Sequence, residues 1–392
     1  MKTVSENVSD VLIAGAGPTG LTLAVSLLSR GRQVTIVDKL KQGDNTSRAA
    51  VVYPGTLELL DPYGVAERLV ARGIRTPKFT IRDRDHVLMP VPFEKLPTAF
   101  PYALLVSQAA TEAELLKRLE QLGGIVLRPC EVTGIKQDES GVSVAFSGGD
   151  TMRARFVVGA DGVHSVVRQQ AQIAYEGESA GESYSLADVR LKGGVPDDEL
   201  IVYFSPAGHL VVLPLPGAIH RVVAHVKDAP ENPDVSFLQE LLDTRGPKSE
   251  RTVVHEVIWG SRFLTHHALA QRYRSGSILL AGDAAHEHSP LGGQGMNLGI
   301  HDAIALARAL SAVLEGGSSE LLDAYAEAQR PVAEDVITVT DMLTKVATTS
   351  EHLRGIRNAI VDVLDPMIHS RLAWRLSLLG SEKEIRENIQ LT

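Results

Sequence analysis

The segment from 282 to 297 reads GDAAHEHSPLGGQGMN, and its residue types suit two kinds of site. Three side chains that could bind a metal lie close together in it: Asp283, His286 and His288. Glycines at 292, 293 and 295 lead into an apolar helical pattern, which is typical of a loop that binds an anion or a cofactor. No fourth ligand and no glutamate at HExxH spacing accompanies the histidines, so we expect no metal. We interpret both histidines as packed or solvent-facing loop residues.

A second glycine-rich motif lies close to the start of the chain. Residues 10–15 predict a buried strand, and the apolar period after Pro18 predicts a helix. Between them GAGPTG matches GxGxxG, whose glycines permit a tight turn, a close approach of pyrophosphate and close helix–strand packing. The next predicted strand ends in a carboxylate that could accept hydrogen bonds from a ribose. This βαβ unit predicts dinucleotide binding by Gly15, Ala16, Gly17, Pro18, Thr19, Gly20 and Asp38.

The dinucleotide motif alone does not distinguish FAD from NAD, but two later segments extend the pattern. Asp161 follows an apolar strand in FVVGADG, and Asp283 follows another in SILLAGDAAH. With these motifs the sequence resembles the class A flavoprotein monooxygenases, the para-hydroxybenzoate hydroxylase-like, FAD-dependent aromatic hydroxylases. The resemblance is carried by GAGPTG, VDK, SRA from Ser47, Gln108, GADG and GDAAHEHSPLGGQGMNLGIHDA.

The resemblance implies roles for individual residues in holding FAD. Asp283 matches the aspartate that binds a ribityl hydroxyl, and 290–297 matches the segment that passes along the flavin ring. Backbone N–H groups there, at a helix start, would stabilise negative charge on the reduced ring. Pro290, Gly292 and Gly293 would shape the backbone at the reacting position. Further positions that match flavin contacts are Lys39, Arg48, Gln108, Asp161, Gly295, Met296 and Asn297.

Two of these positions also have simpler interpretations. Without the resemblance, Arg48 is an exposed surface arginine, and Asp161 is a carboxylate that caps the following turn. For Asp161 both roles are compatible.

The resemblance implies an activity in which the cofactor performs the chemistry. NAD(P)H would reduce FAD, O2 would add at flavin C4a, and the hydroperoxide would transfer one oxygen to an aromatic, phenolic or polycyclic substrate. Only one GxGxxG is present, so the nicotinamide would bind transiently. Two alternatives stay open: a flavin-dependent reductase on the same fold, and a catalytically idle flavin-binding sensor.

The order of predicted elements indicates an α/β fold, α+β overall. We expect a Rossmann-like FAD-binding domain from residues 1–75, 106–180 and 265–340. An inserted antiparallel, substrate-binding sheet would comprise 76–105 and 181–264, followed by a C-terminal helical segment at 341–392. Residues 111–124 predict an amphipathic helix, with Thr111 and Glu114 as a capping box. Candidate pocket residues in the inserted sheet are Tyr203, His209, Arg221 and His225, although an ordinary strand role is favoured for each.

Composition limits the partners. The 392 residues imply two or three domains, and the net charge of −9 works against nucleic-acid binding. Cys130 is the single cysteine, so no internal disulfide can form. The sequence shows no export signal and no apolar run of membrane-spanning length. We therefore expect a cytoplasmic protein without a membrane span, monomeric or homodimeric, that takes a small aromatic substrate.

Overall fold

The computed structural model describes residues 9–43, 48–362 and 366–380. Ser47 of the predicted SRA motif, residues 1–8 and residues 381–392 of the predicted helical segment lie outside these ranges. The strands are β1 (Ser9–Ala14), β2 (Val34–Val37), β3 (Val51–Val52), β4 (Ile74–Thr76), β5 (Lys78–Asp83), β6 (His86–Pro92), β7 (Ala103–Leu105), β8 (Val126–Leu127), β9 (Val132–Asp138), β10 (Gly141–Phe146), β11 (Thr151–Gly159), β12 (Tyr175–Lys192), β13 (Glu199–Tyr203), β14 (Leu210–Leu215), β15 (Ile219–His225), β16 (Val253–Ala270), β17 (Arg274–Ser275), β18 (Ile278–Leu280) and β19 (His286–Glu287). The helices are α1 (Pro18–Leu28), α2 (Pro54–Leu60), α3 (Ala66–Arg72), α4 (Gln108–Gln121), α5 (Val166–Gln170), α6 (Val235–Arg245), α7 (Gly295–Leu314), α8 (Glu320–Ala347), α9 (Arg354–Asp362) and α10 (Pro366–Ser377).

The first sheet has the strand order β17-β18-β11-β1-β2-β8, with β9 and β10 paired beside β11. Strand β1 runs parallel to both β11 and β2, and β11 runs parallel to β18. Residues 11–14 are buried, as expected for a parallel strand that is covered on both faces. The α/β fold class is confirmed, and the carboxyl ends of β1, β11 and β18 meet at one edge of this sheet.

The second sheet has the order β19-β16-β12-β15-β14-β13-β5-β6 and is antiparallel except between β13 and β5. Strands β12 and β16 each have 18 residues and pair along most of their length. Strand β12 continues across the predicted domain boundary near 181, and β16 continues across the one near 264. The division into domains stays a prediction. One face of the sheet packs on α6, and the other faces the strand ends of the first sheet.

Helix α4 begins earlier than the sequence predicts. Its N-terminal cap is Ser107, whose Oγ accepts a hydrogen bond from the N–H of Ala110 at 3.3 Å. The predicted Thr111–Glu114 capping box is wrong, because Glu114 accepts hydrogen bonds from two arginines of α3, Arg68 and Arg72. The sequence gives no sign that Glu114 pairs with Arg68 and Arg72, since these residues are far apart along the chain.

The C-terminal helices are attached to the second sheet by a charged cluster around Asp83. The carboxylate of Asp83 accepts hydrogen bonds from Arg354 Nε at 2.7 Å, Arg357 Nη2 at 2.6 Å and Asn358 Nδ2 at 2.9 Å. The Asp83 and Arg357 side chains are 3% and 4% exposed, so this ion pair is shielded from water. No helix within the described ranges is long and apolar enough to cross a membrane.

We expect Asp83→Asn to lower the free energy of unfolding by about 3–5 kcal/mol, because it leaves the buried Arg357 guanidinium without its counter-charge. Urea unfolding at fixed excess FAD measures the effect. The matched control is Asp198→Asn, which removes an exposed ion pair with Lys78 at the start of the same strand and should cost much less. Equal losses in the two variants would contradict the assignment of Asp83 as the anchor.

Candidate active site

A cavity of about 580 Å³ lies between the strand ends of the first sheet and the inner face of the second. Most sequence-predicted site residues line it: Gly15, Ala16, Gly17, Pro18, Thr19, Asp38, Lys39, Arg48, Gln108, Asp161, Asp283, Pro290, Gly292, Gly293, Gly295 and Met296. Two do not line it, Gly20 and Asn297. The volume is within the range of small-molecule and cofactor sites.

The glycine-rich turn between β1 and α1 is held by very close backbone approaches. Gly15 has φ +101°, and a Cβ there would lie 2.2 Å from the carbonyl oxygen of Ala160. A Cβ on Gly20 would lie 2.0 Å from the Gly15 oxygen, so this glycine serves helix packing rather than the cavity. A Cβ on Gly17 would instead enter open space. Helix α1 begins there without a side-chain cap, so its first N–H groups are available to an anion.

Asp38 follows β2 at the same edge of the sheet. Its Oδ2 accepts a hydrogen bond from Ala16 N, and its Oδ1 accepts one from Leu40 N, both at 2.8 Å. Arg128 Nη1 lies 3.6 Å from Asp38 Oδ1 and also lines the cavity. Sequence reasoning missed Arg128, because no motif connects it to the glycine-rich turn.

The GADG segment and the loop before α4 form the next part of the wall. The carboxylate of Asp161 accepts hydrogen bonds from Ser165 Oγ at 2.5 Å and Val166 N at 2.8 Å, so it caps α5 as the simpler interpretation predicts. Gln108 Oε1 accepts from Ala49 N at 3.3 Å, and this contact fixes the segment that carries Arg48. The exposed Arg48 guanidinium lies 5.6 Å from the ring centroid of Phe263.

Asp283 presents a free acceptor to the cavity. Its side chain is open to the cavity, and no described residue donates a hydrogen bond to its carboxylate. Enclosure by the surrounding protein raises the pKa of Asp283, although the charges of His286 and Arg48 oppose that rise. An alcohol that donates a hydrogen bond would suit this carboxylate.

His286 belongs to a buried pair rather than to a metal site. Its Nε2 lies 2.7 Å from Asp302 Oδ2, which also accepts a hydrogen bond from Gly282 N at 2.9 Å. Burial opposes the charge on His286, but the Asp302 carboxylate raises the pKa of the imidazole overall. Within the described residues, no group of three or more His, Cys, Asp or Glu side chains could hold a metal ion.

The loop before α7 is shaped by two left-handed glycines and by Tyr53. Gly292 has φ +97° and Gly293 has φ +64°, conformations that favour glycine. The hydroxyl of Tyr53 donates to the Gly292 oxygen at 2.6 Å, and Tyr53 N donates to Asn297 Oδ1 at 2.9 Å. Asn297 Nδ2 donates to Gly293 O and Val51 O, both at 2.9 Å. The buried Asn297 side chain thus holds the loop against β3.

Helix α7 supplies a second uncapped N-terminus. It begins at Gly295 without a side-chain cap, and its first two residues line the cavity. The N–H groups of such a helix start carry partial positive charge, which favours negative charge beside it. The preceding residue, Gln294, is fixed by a hydrogen bond from its Nε2 to the carbonyl oxygen of Leu376 in α10 at 2.9 Å.

The other end of the cavity is apolar and belongs to the second sheet. Its wall consists of alternate strand residues and their neighbours: Phe79, Leu186, Leu200, Val202, Val211, Leu213, Val223 and Phe263. The intervening residues, such as Ile201 and Val212, pack on the opposite face beneath α6. The alternation is visible in the sequence, but it does not say which face borders a cavity.

The four candidate pocket residues divide into two pairs. His209 and Arg221 line the cavity, whereas Tyr203 and His225 do not. Arg221 is 1% exposed and donates to both carboxylate oxygens of Asp188, at 2.7 and 2.8 Å. It also donates to the backbone oxygens of residues 48 and 49, so it joins the two halves of the cavity wall.

These groups fit a flavin dinucleotide. Open space beside Gly17 and the uncapped start of α1 suit a pyrophosphate, while Asp38 and Asp283 suit sugar hydroxyls. The glycine loop before α7 and the apolar wall line the same cavity, which suits the polar edge and apolar faces of a flavin ring.

The family of the chain agrees with this geometry. Residues 8–340 match the family model described as "FAD binding domain". Together with relatives that are named aromatic-compound monooxygenases, this match shows that the chain belongs to the class A, FAD-dependent aromatic monooxygenases and is a flavoprotein oxidoreductase.

Individual relatives have matching names. A 12-dehydrotetracycline 5-monooxygenase/anhydrotetracycline 6-monooxygenase from Streptomyces rimosus is 33% identical, over 94% of this chain and 76% of that protein. A pentachlorophenol 4-monooxygenase from Sphingobium chlorophenolicum is 31% identical, over 94% of this chain and 70% of that protein. The solved p-nitrophenol 4-monooxygenase of Pseudomonas putida, 25% identical, superposes with a TM-score of 0.83 over 95% of this chain and 99% of that one.

Gly17→Ala and Gly20→Ala should separate cofactor binding from folding. A methyl group on Gly17 enters open cavity space, so we expect at least about tenfold weaker FAD binding with little change in apoprotein stability. A methyl group on Gly20 collides with the Gly15 oxygen, so the apoprotein itself should lose stability. Fluorescence titration with FAD and urea unfolding of the apoprotein measure the two effects. Unchanged FAD affinity in Gly17→Ala would contradict the pyrophosphate assignment.

The His286–Asp302 pair should make stability pH-dependent. Because the pKa of His286 is raised on folding, its contribution is complete below the unfolded value, about 6.5. The contribution disappears as pH rises through the folded pKa. Asp302→Asn removes the charge that raises this pKa, so the stability difference from wild type should shrink as pH increases above about 6.5. Urea unfolding at a series of pH values measures it, and a constant difference would refute the pairing.

Proposed function

We propose that this protein hydroxylates an aromatic small molecule, phenolic or polycyclic, with NAD(P)H as the electron donor and O2 as the oxygen source. The observation that carries the proposal is one continuous cavity with a polar, anion-favouring end and an apolar end. The relatives named above act on tetracycline-type compounds, pentachlorophenol and p-nitrophenol, which supports an aromatic substrate here.

In this proposal the polar end holds FAD. The turn from Gly15 to Thr19 and the start of α1 would bind the pyrophosphate, Asp38 the ribose and Asp283 the ribityl chain. Arg48, Gln108 and Asp161 would border the flavin and the transient nicotinamide. Arg128 would support Asp38, from which it is 3.6 Å distant. When bound, FAD would supply the redox chemistry: two-electron transfer from NAD(P)H to O2, by which one oxygen atom would enter the ring and the other would be released as water with protons from solution.

The loop before α7 and the start of that helix would provide the electrostatic contribution of the protein. Their backbone N–H groups favour negative charge at the adjacent cavity wall, which is where the reduced ring would lie. Gly292 and Gly293 adopt left-handed backbone conformations that direct the loop along the cavity wall. Tyr53 and Asn297 fix the loop beforehand, so little reorganisation is needed when charge develops.

The apolar end would bind the substrate and exclude water. Its wall of aliphatic and phenyl side chains removes apolar ring surface from solvent, which favours binding. The same wall would keep water out of the reaction site, so that reducing equivalents would not be lost without product.

A substrate panel tests the function. We expect phenols or fused-ring phenols to stimulate NAD(P)H oxidation and O2 uptake by the FAD-loaded protein. Mass analysis should find a product heavier by one oxygen atom, derived from labelled O2. Product that persists without O2 would instead indicate the reductase, and tight ligand binding without any effect on NAD(P)H oxidation would indicate the sensor.

Other expectations stay predictions from composition: a cytoplasmic location, the lack of a nucleic-acid partner, and a monomeric or homodimeric state. Light scattering of the purified protein measures the last.

A further inference from the structure

The loop before α7 is supported by helix α10, which lies outside the cavity. Gln294, the residue that precedes α7, lines the cavity and is 3% exposed. Its Nε2 donates a hydrogen bond to the carbonyl oxygen of Leu376 at 2.9 Å. Leu376 is 4% exposed and is the last residue but one of α10, so its carbonyl group has no partner within that helix. A buried hydrogen bond therefore joins the start of α7 to the end of α10.

Packing adds a second contact between α10 and the loop. The Leu376 side chain and Leu291 of the loop belong to one apolar cluster, which also contains Tyr53 and Ala373. A Cβ on Gly292 would lie 3.6 Å from Leu376 Cδ2, which is ordinary contact distance. The Leu376 side chain thus lies against the loop backbone, and α10 contacts the loop through this side chain as well as through its carbonyl group.

The end of α10 is itself held by the first turn of α2. A Cβ on Gly55 would lie 2.7 Å from Ser377 O and 2.8 Å from the carbonyl carbon of Leu378. The two backbones can approach this closely because Gly55 has no side chain. Gly55 does not line the cavity. A series of contacts consequently runs from α2 through the end of α10 to the loop at the cavity wall.

Two side-chain amides hold the loop on either side of the first residues of α7. Gln294 joins it to α10, and Asn297 joins it to Val51 in β3 at 2.9 Å. Gly295 and Met296 lie between these two attachments, and both line the cavity. The N–H groups at the start of a helix have no partner within it and carry partial positive charge. Their distance and direction relative to the cavity depend on both attachments.

Building on the proposed placement of FAD along this loop, we propose that Gln294 is a positioning residue that raises the reduction potential of the bound flavin. Its amide is directed to α10, so it acts through the backbone at the start of α7. The attraction between these N–H groups and a negative charge depends on their separation. Groups that are held in place before the charge develops stabilise it without reorganisation. The tether would therefore favour the reduced, negatively charged ring over the oxidised one.

The reduction potential tests the inference without requiring turnover. Gln294→Met keeps an unbranched side chain of similar length but removes the donated hydrogen bond. We expect reduced FAD to bind about tenfold less tightly relative to oxidised FAD, which lowers the two-electron potential by about 30 mV. Reduction of the FAD-loaded protein beside a reference dye, with no substrate present, measures the potential.

The matched control removes the same kind of hydrogen bond far from the cavity. Gln239 of α6 donates from its Nε2 to Thr252 O at 2.8 Å, and it does not line the cavity. Gln239→Met should lower the free energy of unfolding in urea, because it leaves backbone groups unpaired. Its flavin potential should equal that of the wild type.

A second variant changes the tether from outside the cavity. In Gly55→Ala the added methyl group collides with Ser377 O, so the end of α10 must move and take Leu376 O with it. We expect the flavin potential to fall in this variant too. The control is Gly246→Ala, whose methyl group would lie 2.8 Å from Leu242 O at the end of α6. This control should lose stability without a change in potential.

The outcomes separate positioning from a structural role. An unchanged potential in Gln294→Met and Gly55→Ala overturns the inference, even where the variants bind FAD less tightly or unfold more easily. Equal shifts in the two control variants overturn it as well. Hydroxylation is judged separately, from incorporation of labelled O2 with the substrate panel. A protein whose potential falls as expected yet transfers no oxygen would support this inference and refute the proposed function.

Discussion

The site depends on parallel pairing of β11 with both β1 and β18, which brings the carboxyl ends of the three strands to one edge of the sheet. Because these ends adjoin, the turns that follow them press together, and the chain accommodates this only with glycine. A Cβ on Gly15 would lie 2.2 Å from Ala160 O, and one on Gly282 would lie 2.5 Å from Thr19 Oγ1. The glycines therefore fix the distance between the turns as well as the course of each. The positions of Asp161 and Asp283 follow from that spacing.

The cavity combines two environments that have opposite physical requirements. Its polar end needs exposed backbone N–H groups and acceptors, which strand ends and helix starts provide at no cost in core packing. Its apolar end needs a broad, dry surface, which one face of an antiparallel sheet provides while the other face packs on α6. Arg221 connects the two, because it reaches from β15 to the segment that carries Arg48. Each guanidinium nitrogen of Arg221 already donates a hydrogen bond within the protein, so Arg221 is a structural residue.

Most of the predictions that could be made from the sequence came from short local motifs. The family, the α/β fold and FAD follow from short segments in which glycine and aspartate positions are constrained by a turn and a strand end. The roles of individual site residues stay predictions, although the structure brings most of them to one cavity. Pairings between distant segments were not predictable. Asp302 beside His286 and Glu114 beside Arg68 and Arg72 each depend on how separate elements pack.

The hydrogen bond from Gln294 to Leu376 joins residues 82 positions apart in the chain. It has a consequence for biosynthesis. While the polypeptide is emerging from the ribosome, the glycine loop is made long before the helix that holds it in place. A nascent chain can form the β1–α1 turn early, but it cannot complete the opposite wall until translation has passed α10. The contact that fixes this side of the cavity therefore forms only after both segments have been made.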